Sequence, residues 1–545
     1  MRKIFRLSLF FSLILLVFFV ISCNSLGVPK EVFQIPDYTE KDIVENEKAR
    51  IAALSEENPV MALWRASLLG DEETLSLYKE TVVSLFKKAL SENDFIKAWK
   101  YYVSLESFYE NAEKVLGVSR NAVYSGFLAT VPSFDPSKEE KSSLPKNMAD
   151  CVNATVTIWV DKGIKIQNGV GYADRSLGSG FFISQDGYIV TNYHVISELV
   201  DPKYEGYARL FVKLAQDQEN RIPAKVIGYD ETLDLALLKA EVKAPFVLLL
   251  GSSKSLSVGD KVSAIGTPLG LHGTVTTGIV SAANRKLFTT GSVLQIDAAV
   301  NSGNSGGPLI DSALKVQAVV FAGIMEYQGL NFAIPVEYLK QDLPFMFAGG
   351  KRRQVWIGSY GRTKKVGETE KGLELQYVMP GGNAFRAGLL KGDVITAVDG
   401  KIVKNLERFQ DILRDFTDET ILPISFERDG KASTVLMYLS ERPENPGYQM
   451  FKSDLLQNSF IPIFGMELAP SSTISSRKYV VSDVLAGSVA DESGFSVDDP
   501  LTVVGVDFSK EKDVIYVGIY TRKKKKGYLD VSMRIANQLD GPYYF

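Results

Sequence analysis

Between about Asp150 and Phe345 the chain runs through one short Val/Ile/Thr-rich segment after another, each bounded by Gly, Asp or Asn: "ATVTIWV", "GSGFFIS", "GYIVTNYHVI", "ARLFVKLA", "IPAKVIGYD", "LDLALLKA", "DKVSAIGTP", "VTTGIVSAA", "VLQIDAAV", "VQAVVFAGI" and "LNFAIPV". β-branched and aromatic residues suit a pleated, half-buried surface, and turn residues at regular spacing imply hairpins, so this region is expected to be an all-β barrel or sandwich. There are enough strands for two barrels. At 545 residues the chain is too long for one core, so three or four domains are expected.

The flanks have a different texture. From Val28 to about residue 130 the sequence is rich in Ala, Leu, Glu and Lys, with apolar residues such as Leu85, Ala89, Leu90, Phe95, Ala98, Trp99 and Tyr102 at helical spacing. "ASLLGDEETLSLY" and "ALSENDFIKAWKY" align with Ala, Asp and Tyr in register 23 residues apart, a hint of helical hairpins shorter than a tetratricopeptide repeat. The simplest expectation is a solvated helical spacer. Residues 131–149, with "VPSFDPSKEEKSSLPKN", read as a linker because Pro, Ser and charge replace any apolar period.

The first residues carry Arg2, Lys3 and Arg6, then an apolar run to Ile21 followed by Ser22 and Cys23. This pattern reads as a signal peptide over residues 1–22, shorter than a spanning helix requires. "VISC" resembles the lipobox of bacterial lipoproteins, which makes Cys23 the expected lipidation site and the cell envelope the expected location. Cys151 is then left without a partner, and it reads as a small buried apolar residue. A net charge of −4 gives no basic face for nucleic acid. Two histidines and two cysteines provide no cluster with metal-ligand spacing, so no metal and no cofactor is expected.

The stretch "NSGNSGGPLI", Asn301–Ile310, admits three readings: a flexible linker, the G-x-S-x-G elbow of an α/β-hydrolase, or a protease nucleophile loop. A serine hydroxyl needs a base, and the base needs an orienting carboxylate. Both histidines, His194 and His272, precede Ser305, whereas the hydrolase order places histidine last, so the elbow reading fails. His194 ends an apolar run, while His272 sits in a glycine-rich turn. Asp234 precedes an apolar strand, whereas Asp230 reads as the surface turn before it. The order His, Asp, Ser is that of a chymotrypsin-like double barrel.

With those residues in place, the strings "LGSGFFIS", "TNYHVI", "TLDLALLK", "VGDKVSAIGTPLGL", "TVTTGIVSA", "IDAAVNSGNSGGPL" and "GLNFAIPV" resemble the HtrA/Deg family of trypsin-like serine proteases over about Asn153–Val336. The resemblance implies Ser305 as nucleophile, His194 as general acid and base, and Asp234 as the residue that orients His194. It also implies an oxyanion hole from the amides of Gly303 and Ser305. Leu330, Asn331, Phe332 and Ala333 match the family segment beside the specificity pocket, where their apolar character implies cleavage after aliphatic residues.

Downstream, "VWIGSY" and "VMPGGNAFRAGLLKGDVITAVDGKIV" resemble a PDZ domain, expected over residues 352–441. Such a domain adds an extended C-terminus to its sheet as a strand. Trp356, Ile357, Gly358 and Ser359 are then the expected carboxylate loop, and "LERFQDILRDF" the groove helix. "VLAGSVADESGFSVDDPL" repeats the pattern at an offset of 106, pairing Gly388 with Gly494 and Asp393 with Asp499. No room remains for a groove helix, so residues 450–545 are expected as a degenerate PDZ-like domain. "RKKKK", Arg522–Lys526, reads as a solvated hairpin tip, with contact to anionic headgroups as the alternative.

Together these features give a multidomain fold: a helical N-terminal region, an all-β double-barrel protease core over 150–345, and two PDZ-like α+β domains. The implied function is ATP-independent endoproteolysis of misfolded or exported proteins. Unfolded peptides are the implied partners, the protein being lipid-anchored and a homotrimer or larger. The competing class is a peptide-binding, chaperone-like scaffold that keeps the fold without catalysis.

Overall fold

The structure is a computed structural model that describes residues 40–129, 140–167, 169–201, 208–267, 273–285, 291–301, 303–323, 330–471, 477–523 and 529–545. Cys23, His272 and Lys524–Lys526 lie outside the described residues.

The strand-rich region forms two barrels. In the first, the order is 350–351, 217–230, 209–214, 155–167, 170–182, 188–191 and 235–240, and a further pairing of 217–230 with 235–240 closes it. The second is a closed barrel of strands 308–310, 316–323, 331–335, 293–296, 274–285 and 261–266. Each inward row is aliphatic. Val156, Ile158, Val160, Phe182 and Ile189 fill the first barrel. Val262, Ala264, Leu294, Leu309 and Val320 fill the second, and Phe181, Val190, Ile265, Val319 and Phe332 fuse the two into one core.

Part of the expected linker belongs to this core. Ser143 is 4% exposed, its carbonyl accepts the Val247 amide at 3.0 Å, and Asn147 caps the helix Met148–Asn153 through a bond from the Asp150 amide. Cys151, on that helix, is fully buried. Burial pushes its thiol up to about 11, so it packs as an apolar side chain and does not act as a nucleophile.

The helical region is built as hairpins whose starts sit at the detected 23-residue offset. Asp71 caps the helix Glu72–Ser91 through the Thr74 amide, and Asp94 caps Phe95–Glu106 through the Lys97 amide. Each carboxylate satisfies an amide that the first turn leaves unpaired. The region is not a solvated spacer. Trp64 is 1% exposed, stacked on Tyr438 at 5.6 Å, and donates from Nε1 to the Leu436 carbonyl at 2.8 Å. Asn58 donates to the Tyr438 hydroxyl. Ser104 accepts the Ile421 amide, Lys100 pairs with Glu419, and Arg120 pairs with Asp399. An almost wholly apolar helix, Pro59–Leu69, could not remain stable in water. It buries itself on the sheet of the first PDZ module.

That module is a sheet in the order 355–356, 431–441, 420–428, 394–398, 369–378 and 359–366, with the helix Leu406–Leu413 laid against it. The second is a five-stranded meander. Where the first has its groove helix, the second has only the turn between strands Pro500–Phe508 and Val514–Lys523. The internal repeat extends to single bonds. Buried Asp393 accepts the Leu390 amide at 2.8 Å, and buried Asp499 accepts the Ser496 amide at 2.9 Å.

Candidate active site

Strands Tyr188–Thr191 and Leu235–Ala240 pair antiparallel, with Thr191 opposite Ala236. The residues just after the first and just before the second are therefore brought together. The helix Tyr193–Val200 begins there and carries His194 in its first turn. Asp234 adopts φ +54, a left-handed conformation that Asp tolerates better than most residues. Its Oδ1 accepts the His194 amide at 2.7 Å, and its Oδ2 lies 2.7 Å from His194 Nδ1. The Asp234 carbonyl accepts from Asn192 Nδ2 at 2.7 Å. Two bonds to one carboxylate fix both the position and the ring plane of the imidazole, and a proton on Nδ1 leaves Nε2 as the basic atom. Burial alone would lower the pKa of His194, but the bond and charge of Asp234 outweigh it, and the result is raised above 6.5.

Asp230 corrects the sequence reading: it is fully buried, not a surface turn. Its Oδ1 accepts the amides of Thr232 at 2.8 Å and Leu233 at 2.9 Å, and its Oδ2 takes the Gln354 side-chain amide. The turn that presents Asp234 is thus tied from inside. Beside Asp230, Asp342 has its carboxyl pushed well up by burial and by the Asp230 charge, against the pull of Arg352. Arg352 lies 3.6 Å from Asp342 and donates to the carbonyls of Arg414 and Phe416 at 2.8 Å each. One buried guanidinium therefore joins the helix Val336–Phe347 to the end of the helix Leu406–Leu413.

Ser305 sits in a turn held between the barrels. Its carbonyl accepts the Ser179 amide at 2.8 Å, and the Gly306 amide donates to Val320 O at 2.8 Å. Gly306 has φ +85, and a Cβ there would fall 2.2 Å from Ser179 O, so the position excludes any side chain. Ser179 Oγ donates to Gly303 O at 2.6 Å and accepts the Thr267 amide at 2.9 Å. Ser305 Oγ donates to Phe321 O at 3.0 Å, and no bond joins it to His194 among the described residues. Among those residues the amides of Gly303 and Ser305 also have no acceptor. The imidazole and carboxylate are assembled; the serine hydroxyl is turned aside.

The four residues expected along the specificity pocket separate. Asn331 spends its side chain on Ala298 O at 2.8 Å. Phe332 is 4% exposed and packs in the core near Phe321, and Ala333 is fully buried. Leu330 is half-buried and packs against the core. Asn192 and Ser179 were not singled out from the sequence, and Asp230 was read there only as a surface turn. Their common signal is a polar residue within an otherwise apolar strand end, as in "GSGFF", "VTNYH" and "IGYDETLD".

Residues 178–319, which contain His194, Asp234 and Ser305, match the trypsin-like peptidase domain. A probable periplasmic serine endoprotease DegP-like of Marinomonas sp. (strain MWYL1) is 32% identical over 349 residues, 60% of this chain and 71% of that protein. The chain belongs to the HtrA/Deg family of serine proteases. A DegP-like relative from Brucella suis biovar 1 (strain 1330) is 34% identical over 344 residues; it aligns with 60% of this chain, which spans 65% of that relative. Among solved structures, an HtrA-type protease AlgW with decapeptide is 27% identical, covers 55% of this chain and 99% of its own, with a TM-score of 0.45. Other segments of this HtrA/Deg chain match a PDZ domain at 375–424, a TP0546 family PDZ domain at 447–539 and a domain of unknown function at 42–124.

Proposed function

We propose that the protein is an ATP-independent serine endopeptidase that hydrolyses peptide bonds of misfolded or exported proteins through an acyl-enzyme. The observation that carries this reading is the doubly bonded Asp234–His194 pair, at 2.7 Å through both the ring and the main chain; His194 follows Asn192, whose amide nitrogen lies 3.0 Å from where a Cβ on Gly306, next to Ser305, would sit. In acylation, Ser305 Oγ attacks the scissile carbonyl carbon as His194 Nε2 takes its proton. The C–N bond then breaks, and His194 returns the proton to the leaving amine. Water enters by the reverse proton path and hydrolyses the ester. Asp234 stabilises the imidazolium formed in each half-reaction, and the amides of Gly303 and Ser305 serve the oxyanion.

The bond from Ser305 to Phe321 O requires one side-chain rotation before attack. Staggered rotamers of a free hydroxymethyl group differ little in energy, so the step is inexpensive once a substrate carbonyl competes for the site. Leu330 serves the rim of the specificity pocket. The first PDZ module takes C-terminal segments along the loop Trp356–Ser359. The names of the relatives support a periplasmic or envelope location; in this reading the "VISC" pattern makes Cys23 the lipid anchor, and the working form is a homotrimer or larger.

The test is Ser305→Ala with casein as substrate. Hydrolysis is expected to fall to background, and a fluorophosphonate probe is expected to label wild type alone. Casein hydrolysis that survived in the purified variant would refute the mechanism, and absence of labelling in wild type would favour the scaffold.

A further inference from the structure

The peptide groove of the first PDZ module already contains a peptide, and it comes from the same chain. Strand Ser359–Val366 is the free edge of that sheet. Residues 543–545 lie along it antiparallel: the Ser359 amide donates to Phe545 O at 2.7 Å, the Phe545 amide to Ser359 O at 2.9 Å, and the Gly361 amide to Tyr543 O at 3.1 Å. Tyr360 and Tyr544 are the paired residues of this added strand. On the helix side, Gln410 donates to Pro542 O at 2.7 Å. Strand addition of this kind is how the fold takes extended ligands.

The side chains alternate as the pleat requires. Phe545 turns into the groove, 3% exposed, with its ring edge-on to Phe409 at 5.0 Å. Gly361 makes room for it: a Cβ there would lie 2.9 Å from Phe545 Cζ. Tyr544 turns to the other face, where it packs with Trp356, Tyr360 and Met450 and donates its hydroxyl to Pro462 O at 2.8 Å. Upstream, Arg442 holds Asp540 with its two terminal guanidinium nitrogens, and Leu539 is buried in the second module's core. The second module thus delivers the segment to the first on a short, anchored lead.

We propose that Tyr543–Phe545 closes this groove in cis, and that the ligand able to open it is an extended peptide that places an aromatic side chain where the Phe545 ring lies. The proposal rests on the reading of the first PDZ module as a peptide-binding site. A tethered occupant acts at an effective concentration in the millimolar range, so a free peptide of equal intrinsic affinity binds at a large disadvantage. Ser359, where an apolar residue is usual, is fully buried and hydrogen-bonds Phe545 through its main chain. Phe409 and the absence of a side chain at Gly361 give the Phe545 ring its place.

The experiment measures anisotropy of a labelled peptide with the sequence of Leu539–Phe545 against the full chain carrying Ser305→Ala, so that the probe is not cleaved. Phe545→Ala and Phe545→Asp are compared in the same background, with melting midpoints recorded. Phe545→Ala keeps the main-chain bonds and guards against loss of fold in the charged variant. Both variants are expected to bind the probe at least about tenfold more tightly than the chain with Phe545, and a probe ending in Asp is expected not to bind. Equal affinity with and without Phe545 would overturn closure in cis while leaving the module a peptide binder. Equal binding of the Asp-ended probe would overturn the aromatic preference. No binding to any form would overturn the peptide-binding reading itself, and closure with it.

Discussion

Replacing Asp230 by alanine tests whether the turn that carries Asp234 is held from within. Asp230 is fully buried, and its two oxygens accept from three donors: the amides of Thr232 and Leu233, and the side chain of Gln354. Alanine leaves all three without an acceptor. Each unsatisfied group costs about 1–3 kcal/mol, so the total at the low end is about 3 kcal/mol. For a domain of this size that lowers the melting midpoint by about 6–12 °C. Part of the loss is offset because Asp342, relieved of its neighbour's charge, ionises more readily opposite Arg352. The second effect is kinetic. Asp234, at φ +54, loses the turn that sets its direction, so kcat should fall while KM holds. Calorimetry and peptide kinetics well below the midpoint separate the two effects. Asp230→Asn retains one oxygen for the two main-chain amides and should lose less of both. A midpoint within about 1 °C of wild type, with kcat unchanged, would refute the reasoning.

Other perturbations have equally definite outcomes. Asp234→Asn should lower kcat by about 10⁴-fold with little change in KM, because the imidazole loses its orienting charge; a change of less than tenfold would count against the assignment. On the proposed mechanism His194 must be neutral to accept the Ser305 proton; because the Asp234 contact raises its pKa, kcat/KM should fall as pH drops through a value higher than that of a free imidazole, and a limb lower than that of a free imidazole would contradict the contact. Trp64→Ala removes a buried indole and its bond to Leu436 O, a loss of about 3–5 kcal/mol. Limited proteolysis should then release the helical region, and an unchanged digestion pattern would show that docking rests elsewhere. Cys151 should resist alkylation until the protein unfolds; fast labelling of the native chain would contradict its burial.

The double barrel was legible because it depends on local residue type and spacing, and the order of His194, Asp234 and Ser305 restricted the chemistry before any coordinates. The 23-residue repeat was visible too, although only the structure shows that its aspartates are helix caps. What escaped is long-range. Nothing near Trp64 in the sequence names Tyr438 or Leu436 as its partners, so an apolar helix read as a spacer. Asp230 looked like a surface turn because aspartates at strand ends usually are, and its burial depends on Gln354, 124 residues away. The turned-aside hydroxyl of Ser305 is a rotamer choice set by the Phe321 carbonyl, which no motif encodes. The segment in the PDZ groove was hidden for the same reason: "YYF" has no local pattern, and its place is set by two modules at once.

Arg352 has a consequence for how such proteins can be recombined. It lies where the protease and the first PDZ module meet in sequence, at a point where exchange between relatives would normally be attempted. Yet its guanidinium answers to Asp342 on one side and to the carbonyls of Arg414 and Phe416 on the other. A chimaera joined there inherits an arginine from one parent and its partners from another, leaving a buried charge with mismatched surroundings, at a cost of several kcal/mol. Crossovers that keep residues 342–416 from one parent preserve the whole set, so the unit of inheritance is not the domain but the seam between two of them.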